Sequence, residues 1–274
     1  MRRRGLLVNF ESRISNLEVF MKYVLGIDVG SSFSKAVVFG EGTLLSYAIL
    51  PSGGNFADAA RKVAREAIEK ASISDADIST TTATGYGSSA VDFADRTVAD
   101  ISCHAAGVYH LFPSAGTVMD IGSQFCRAIK LDEDGRVTNF VQNEKCAGGS
   151  GKFLQVIARI LHMNVQDIGA LSLQSTNPVE FTTGCAVFAE SEAVSRIAEG
   201  ASPADILAGV HKAMSAKIIN LIVRLGFAQD CVVTGGGAKD AGLVRALEAE
   251  LDMKVLVPEE PWITAALGAA ILAR

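Results

Sequence analysis

The run Ile27-Asp-Val-Gly-Ser-Ser-Phe-Ser-Lys-Ala-Val37 decides the fold, because the chain repeats it as Met119-Asp-Ile-Gly-Ser-Gln-Phe-Cys-Arg-Ala-Ile129. Asp28 falls on Asp120, Gly30 on Gly122, Ser31 on Ser123, Phe33 on Phe125, Lys35 on Arg127 and Ala36 on Ala128, at a constant offset of 92 residues. Each copy is an apolar stretch, a tight Asp-x-Gly-Ser turn and a second alternating stretch. That pattern is a β-hairpin with small residues at its tip and a cation close behind. A repeat is a statement about architecture. Two such hairpins, one small lobe apart, predict an α/β protein of duplicated lobes with a cleft between them.

Working outward, strands are expected at 23–29, 34–40, 43–50 and 78–83, with a helix over 56–72 where Ala, Val and Ile recur at helical spacing. The second lobe reads as strands at 117–121, 126–132 and 136–142, then helices at 150–162, 187–199 and 203–226. A strand at 230–234 runs into Gly235-Gly236-Gly237, followed by helices at 240–251 and 262–273. Lobe 1 is thus expected over 21–115 and lobe 2 over 116–255. The last helix carries Ala and Gly on most faces, so it should pack closely, returning from 256–274 to lobe 1. Residues 1–20 read as a poorly ordered, disordered extension or as the product of a misplaced start codon, with Met21 standing just before the first strand. Arg2, Arg3 and Arg4 precede a stretch broken by Asn9, Glu11 and Arg13, without the clean apolar core of a secretory signal.

The chain has 274 residues, 49% apolar and 20% charged, with a net charge of −5 from 25 basic and 30 acidic side chains. A weakly acidic chain has no general attraction for nucleic acid or an anionic membrane, and no apolar run of about 20 residues is evident. Five dispersed cysteines, Cys103, Cys126, Cys146, Cys185 and Cys231, suit a reducing cytoplasm better than a disulfide framework.

Three glycine turns are candidate phosphate sites. The first runs from Gly30 through Ser31, Ser32, Phe33 and Ser34 to Lys35, which should meet phosphate charge. The second is Gly122-Ser123-Gln124, and the third is Gly235-Gly236-Gly237. Such turns present backbone N–H groups, and glycine lets a ligand come close. Asp28 and Asp120 stand where a hydrated Mg²⁺ could be held between facing turns. Neither a P-loop nor a Gly-x-Gly-x-x-Gly fingerprint after a first strand is present. Cys146 and Cys185, 39 residues apart, each stand just before an expected helix. On residues alone the pair reads either as thiolates favoured by helix N-termini or as two ordinary buried thiols. Cys103, Cys126 and Cys231 read as packing residues. The four histidines show no metal-ligand spacing, so they carry no assignment.

Gly26-Ile-Asp-Val-Gly-Ser-Ser, Asp120-Ile-Gly and Val232-Val-Thr-Gly-Gly-Gly resemble the two phosphate motifs and the adenosine motif of the actin, sugar kinase and Hsp70 superfamily, whose lobes have the ribonuclease H-like fold. Further runs resemble a narrower family. Thr84-Gly-Tyr-Gly, Ile101-Ser-Cys-His-Ala, Asn143-Glu-Lys-Cys-Ala-Gly-Gly-Ser-Gly-Lys-Phe-Leu, Cys185-Ala-Val-Phe-Ala-Glu-Ser-Glu and Ala266-Leu-Gly-Ala-Ala look like the activator ATPases of 2-hydroxyacyl-CoA dehydratases. The ATPase subunits of benzoyl-CoA reductase belong to the same family. The resemblance covers Lys22 to Arg274.

It implies ATP and Mg²⁺ in the cleft, with Asp28, Asp120 and Gln124 as catalytic residues. It also implies a [4Fe-4S] cluster on Cys146 and Cys185, completed by the same pair in the second subunit of a homodimer. The partners implied are a dehydratase or reductase as electron acceptor and a ferredoxin or flavodoxin as donor. The chain departs from the family pattern at Phe125, where an aspartate is usual. That bears on hydrolysis, and it leans toward a reductase-type subunit. Two other readings share the fold: a small-molecule kinase, or a non-catalytic nucleotide-binding regulator. A brown, oxygen-sensitive protein would separate the electron donor from both.

Overall fold

In the computed structural model, residues 23–143, 150–181 and 186–273 are described. Cys146, Cys185 and the 1–20 extension lie outside them.

The repeat becomes two sheets of the same design. In the first, β1 (Tyr23–Val29), β2 (Phe33–Gly40) and β3 (Thr43–Pro51) form an antiparallel meander. β4 (Ile78–Thr84) lies parallel to β1, and the two-residue β5 (Arg96–Thr97) adds to β4. In the second, β6 (Thr117–Ile121), β7 (Cys126–Leu131) and β8 (Val137–Gln142) repeat the meander, with β9 (Cys231–Thr234) parallel to β6. The irregularities repeat as well. The register slips between Val38 and Phe39 in β2, and between Lys130 and Leu131 in β7, which is the same offset of 92.

Helix α1 (Phe56–Lys70) covers one face of the first sheet through Ala60, Val63, Ala64 and Ala67, its N-terminus capped by Asn55 accepting from Asp58 N–H. In lobe 2, α3 (Gly151–Ile160), α4 (Ile168–Ser172), α5 (Ala186–Ala198), α6 (Pro203–Leu225) and α7 (Ala241–Leu251) follow the meander. The short elements β5 and α4 are absent from the sequence reading because two and five residues carry no readable period. α6 is the one helix, among the described residues, long and apolar enough to cross a bilayer by length and composition. The sequence reading expected this helix at 203–226 but counted no long apolar run in it, because Asp205, Lys212, Lys217 and Arg224 interrupt the run. Its Ile206, Leu207, Val210, Met214, Ile218 and Ile222 fill the lobe-2 core.

The sheets are joined by α2 (Asp100–Leu111) and α8 (Thr264–Ile271). α8 follows β9 in the chain, yet it packs on β1 and β2 of the first sheet through Ala266, Leu267 and Ala270. It also crosses α2 at backbone contact. A Cβ on Gly268 would collide with the Cys103 carbonyl, and one on Gly107 with the Thr264 carbonyl. The small residues expected to demand close packing therefore do so on both sides of the crossing.

Gly268→Ala should destabilise the protein by about 1–3 kcal/mol or more in urea unfolding, because a methyl group must displace main chain. Gly54→Ala, where nothing lies within 4 Å of the added methyl, should be neutral or slightly stabilising.

Candidate functional site

A cleft of about 630 Å³ opens between the two hairpins and is lined from both sheets. The hairpin registers set its charges. Asp28 pairs with Lys35 across β1 and β2, and Asp120 with Arg127 across β6 and β7. Directly opposed residues in a sheet lie side by side, so each aspartate meets its cation: Lys35 Nζ is 2.7 Å from Asp28 Oδ2, and Arg127 Nη1 is 3.2 Å from Asp120 Oδ2. Asp28 is 7% and Asp120 3% exposed. Buried carboxylates of this kind need their partners. Arg127 also reaches Asp100 at 2.7 Å, and its guanidinium lies 5.2 Å from the centre of the Phe125 ring.

The tips are built alike. Gly30 N–H donates to Phe33 O, and Gly122 N–H to Phe125 O. The tips also meet: the Ser32 and Ser123 hydroxyls are 2.6 Å apart, a hydrogen bond between lobes. Behind the second tip, the first residues of α3 dock on it, Gly151 N–H donating to Gly122 O and Lys152 N–H to Ser123 O. Of the expected residues, Asp28, Gly30, Ser31, Ser32, Phe33, Lys35, Asp120, Gly122, Ser123, Gln124 and the three glycines 235–237 all line this one cleft. Ser34 corrects the expectation. It is fully buried, its hydroxyl 2.9 Å from that of Ser52, and Ser52 in turn donates to Gly30 O. Alternation in β2 turns Ser34 away from the cleft, so it braces the turn from behind. Lys35 lines the cleft with its charge already engaged by Asp28.

The structure adds residues that the hairpin repeat did not reveal. Thr84-Gly85-Tyr86-Gly87 follows β4 as Thr234-Gly235-Gly236-Gly237 follows β9. The two runs stand in equivalent places: Thr84 pairs with Asp28, and Thr234 with Asp120. Gly85 has φ +89° and Gly235 φ +80°, and a side chain on either would strike the Oδ1 side of the neighbouring aspartate. The offset here is 150 residues rather than 92, which hid the match. Tyr86 occupies the place of Gly236, its ring edge-on to Phe56.

His104, on α2, brings Nε2 to 3.5 Å from Asp120 Oδ2, while its Nδ1 is 3.0 Å from the Thr264 hydroxyl. Thr264 is 2.6 Å from Thr234 Oγ1. A buried chain thus links α2, α8 and the third glycine turn. Past that turn, Asp240 Oδ1 caps α7 by accepting from Leu243 N–H, and Oδ2 meets His211 Nε2 at 3.1 Å. Isolated histidines have no sequence signal for such roles.

Two carboxylates, each with one oxygen held by a cation, suit a Mg²⁺ that takes its remaining ligands from phosphate and water. No group of three or more His, Cys, Asp or Glu fit to cage a metal exists among the described residues. The described cysteines are poor thiolates. Burial pushes the Cys103 thiol up to about 11 and Cys231 up to about 12, and it raises Cys126 as well, reinforced there by Asp120. At neutral pH all three remain protonated packing residues.

The chain is 41% identical over 251 residues to the activator of lactoyl-CoA dehydratase from Anaerotignum propionicum, covering 92% of this chain and 97% of that protein. The crystal structure of (R)-2-hydroxyglutaryl-CoA dehydratase component A from Acidaminococcus fermentans superposes with a TM-score of 0.89 at 37% identity, over 92% of this chain and 97% of that one. The activator of 2-hydroxyisocaproyl-CoA dehydratase from Clostridium difficile, solved with bound ADPNP, gives 0.88 at 37% identity, over 92% and 94%. The actin-like fold implied by the resemblance is therefore present, with the duplicated sheets that the repeat predicted. The family pattern itself matches residues 25–273, and the chain belongs to the BadF/BadG/BcrA/BcrD ATPase family.

Proposed function

We propose that this chain is an ATP-dependent one-electron donor that activates a 2-hydroxyacyl-CoA dehydratase or a benzoyl-CoA reductase. The observation that carries the nucleotide part is the convergence of three glycine turns and two buried aspartates on one cleft in a member of an ATPase family. In this reading the hairpin tips at Ser31–Ser32 and Gly122–Ser123 receive the phosphates through backbone N–H groups and hydroxyls. The adenosine lies over Gly235–Gly237. Asp28 and Asp120 hold the hydrated Mg²⁺, while Lys35 and Arg127 fix the position of both carboxylates. Gln124 and the ring of Phe125 flank the place where the attacking water would sit. Phosphate entering between Ser32 and Ser123 competes with the hydrogen bond joining them, so occupancy is coupled to the spacing of the lobes.

The electron-transfer part is supported by the resemblance and by the relatives, which are named as dehydratase activators. Cys146 and Cys185 are the proposed cluster ligands. The other three thiols are buried and protonated, which makes them poor candidates for that role. Two ligands per chain match a four-thiolate cluster on the axis of a homodimer. Bound there, the cluster supplies low-potential one-electron chemistry, recharged by a ferredoxin or flavodoxin.

Gly236→Val should weaken binding of MgADPNP on the order of tenfold or more by calorimetry, since its methyl groups extend into the cleft. The fold should survive, because the added Cβ meets Trp262 Nε1 no closer than 3.6 Å. Unchanged affinity would remove this turn from the site. Anaerobically prepared protein should contain about four iron atoms per dimer. Cys146→Ser or Cys185→Ser should each lose them while still binding nucleotide, and Cys231→Ser should keep them. Phe125→Asp should raise steady-state ATP hydrolysis by restoring a carboxylate beside Gln124, and an unchanged turnover would show that the acid is not what limits this chain.

A further inference from the structure

Trp262 is the single tryptophan of the chain, and it sits where two walls of the cleft meet. Its backbone segment is fastened to the third glycine turn. Gly235 N–H donates to Pro261 O at 3.0 Å, and the Thr234 hydroxyl donates to the same carbonyl at 2.8 Å. Lys239 Nζ pairs with Glu260 Oε2 at 2.8 Å, and Glu260 Oε1 accepts from Trp262 N–H at 3.2 Å. The indole ring leans the other way, onto Phe33 of the first hairpin, with centroids 4.5 Å apart and planes at 51°.

The indole Nε1 is buried and has no hydrogen-bond partner. It faces Gly236, where an added Cβ would lie 3.6 Å away. A buried donor without an acceptor is an exception in folded proteins and asks for a reason. Its surroundings restrict what could satisfy it. Indole N–H only donates, so Lys239 is useless to it, and Glu260 is already shared between Lys239 and the Trp262 main chain. Closed off as it stands, it can meet an acceptor only from the cleft side, over Gly236, where no side chain intervenes. The contact with Phe33 bridges the two lobes, so the ring shifts whenever the hairpin tip moves.

We propose that Trp262 is a nucleotide-contacting residue: its indole N–H donates to an acceptor atom of the bound nucleotide's adenosine across Gly236, with Phe33 as the stop that sets the ring's position. This rests on the nucleotide reading of the cleft given above.

Full-length protein is titrated with MgADPNP by calorimetry and by tryptophan emission, which reports on Trp262 alone. Binding should shift or quench the emission in proportion to the calorimetric saturation. Trp262→Phe keeps a ring against Phe33 and loses the donor, so its affinity should fall about fivefold, the size expected for a neutral hydrogen bond. Emission unchanged at saturation, or Trp262→Phe binding within twofold of wild type, overturns this proposal and leaves the nucleotide site standing. No binding by wild-type protein overturns both. Should Trp262→Phe fail to fold, the wild-type emission alone decides.

Discussion

Two glycines hold this molecule together. Gly107 on α2 and Gly268 on α8 each face a main-chain carbonyl of the other helix, and neither site has room for a methyl group. The helices therefore cross at the distance of their backbones. Because α2 precedes lobe 2 in the chain and α8 follows β9, the crossing brings both ends of the second sheet back onto the first. The cleft is the space left between two sheets clamped in this way. His104 and Thr264, on the paired helices, turn the same crossing into a wall of the site through Asp120 and Thr234. Packing of this density transmits small displacements rather than absorbing them.

The charges in the cleft follow from register. An aspartate that ends one strand and a cation that begins the next must meet when the turn between them is tight. The duplication preserves the meeting while changing the cation from Lys35 to Arg127. The exchange is not neutral. Lysine offers a point charge, whereas arginine's planar fork can span Asp120 and Asp100 together and lie against an aromatic face. The second hairpin is thereby tied to α2, and Phe125 covers the guanidinium where the family usually has an acid.

Much of this was legible in the chain. Ile27–Val37 and Met119–Ile129 gave away the two hairpins, their tips and the charge pairs between their strands, because a tight turn between alternating strands leaves few choices of geometry. The Ala and Gly of the last helix announced a close crossing, though not its partner. Other features left no local signal. The second pair of glycine turns sits at a different offset, since the connections between strands have different lengths in the two lobes. Ser34 was misjudged because membership of a turn motif says nothing about which face of the strand a residue takes. His104, His211 and Trp262 meet partners 16 to 229 residues away in sequence, visible only once the chain is folded. Cys146 and Cys185 lie outside the described residues, so their assignment continues to stand on resemblance.

The two halves have not stayed interchangeable. Beside Asp120 the floor of the cleft is Gly236, bare main chain; beside Asp28 the same place is taken by Tyr86, a ring 60% exposed and braced against Phe56. A perfectly symmetric ancestor would have offered two identical berths facing one another, and a guest could have lain in either direction. One tyrosine breaks that degeneracy. It gives the cavity a head and a foot, bare main chain at one end and an aromatic ring at the other.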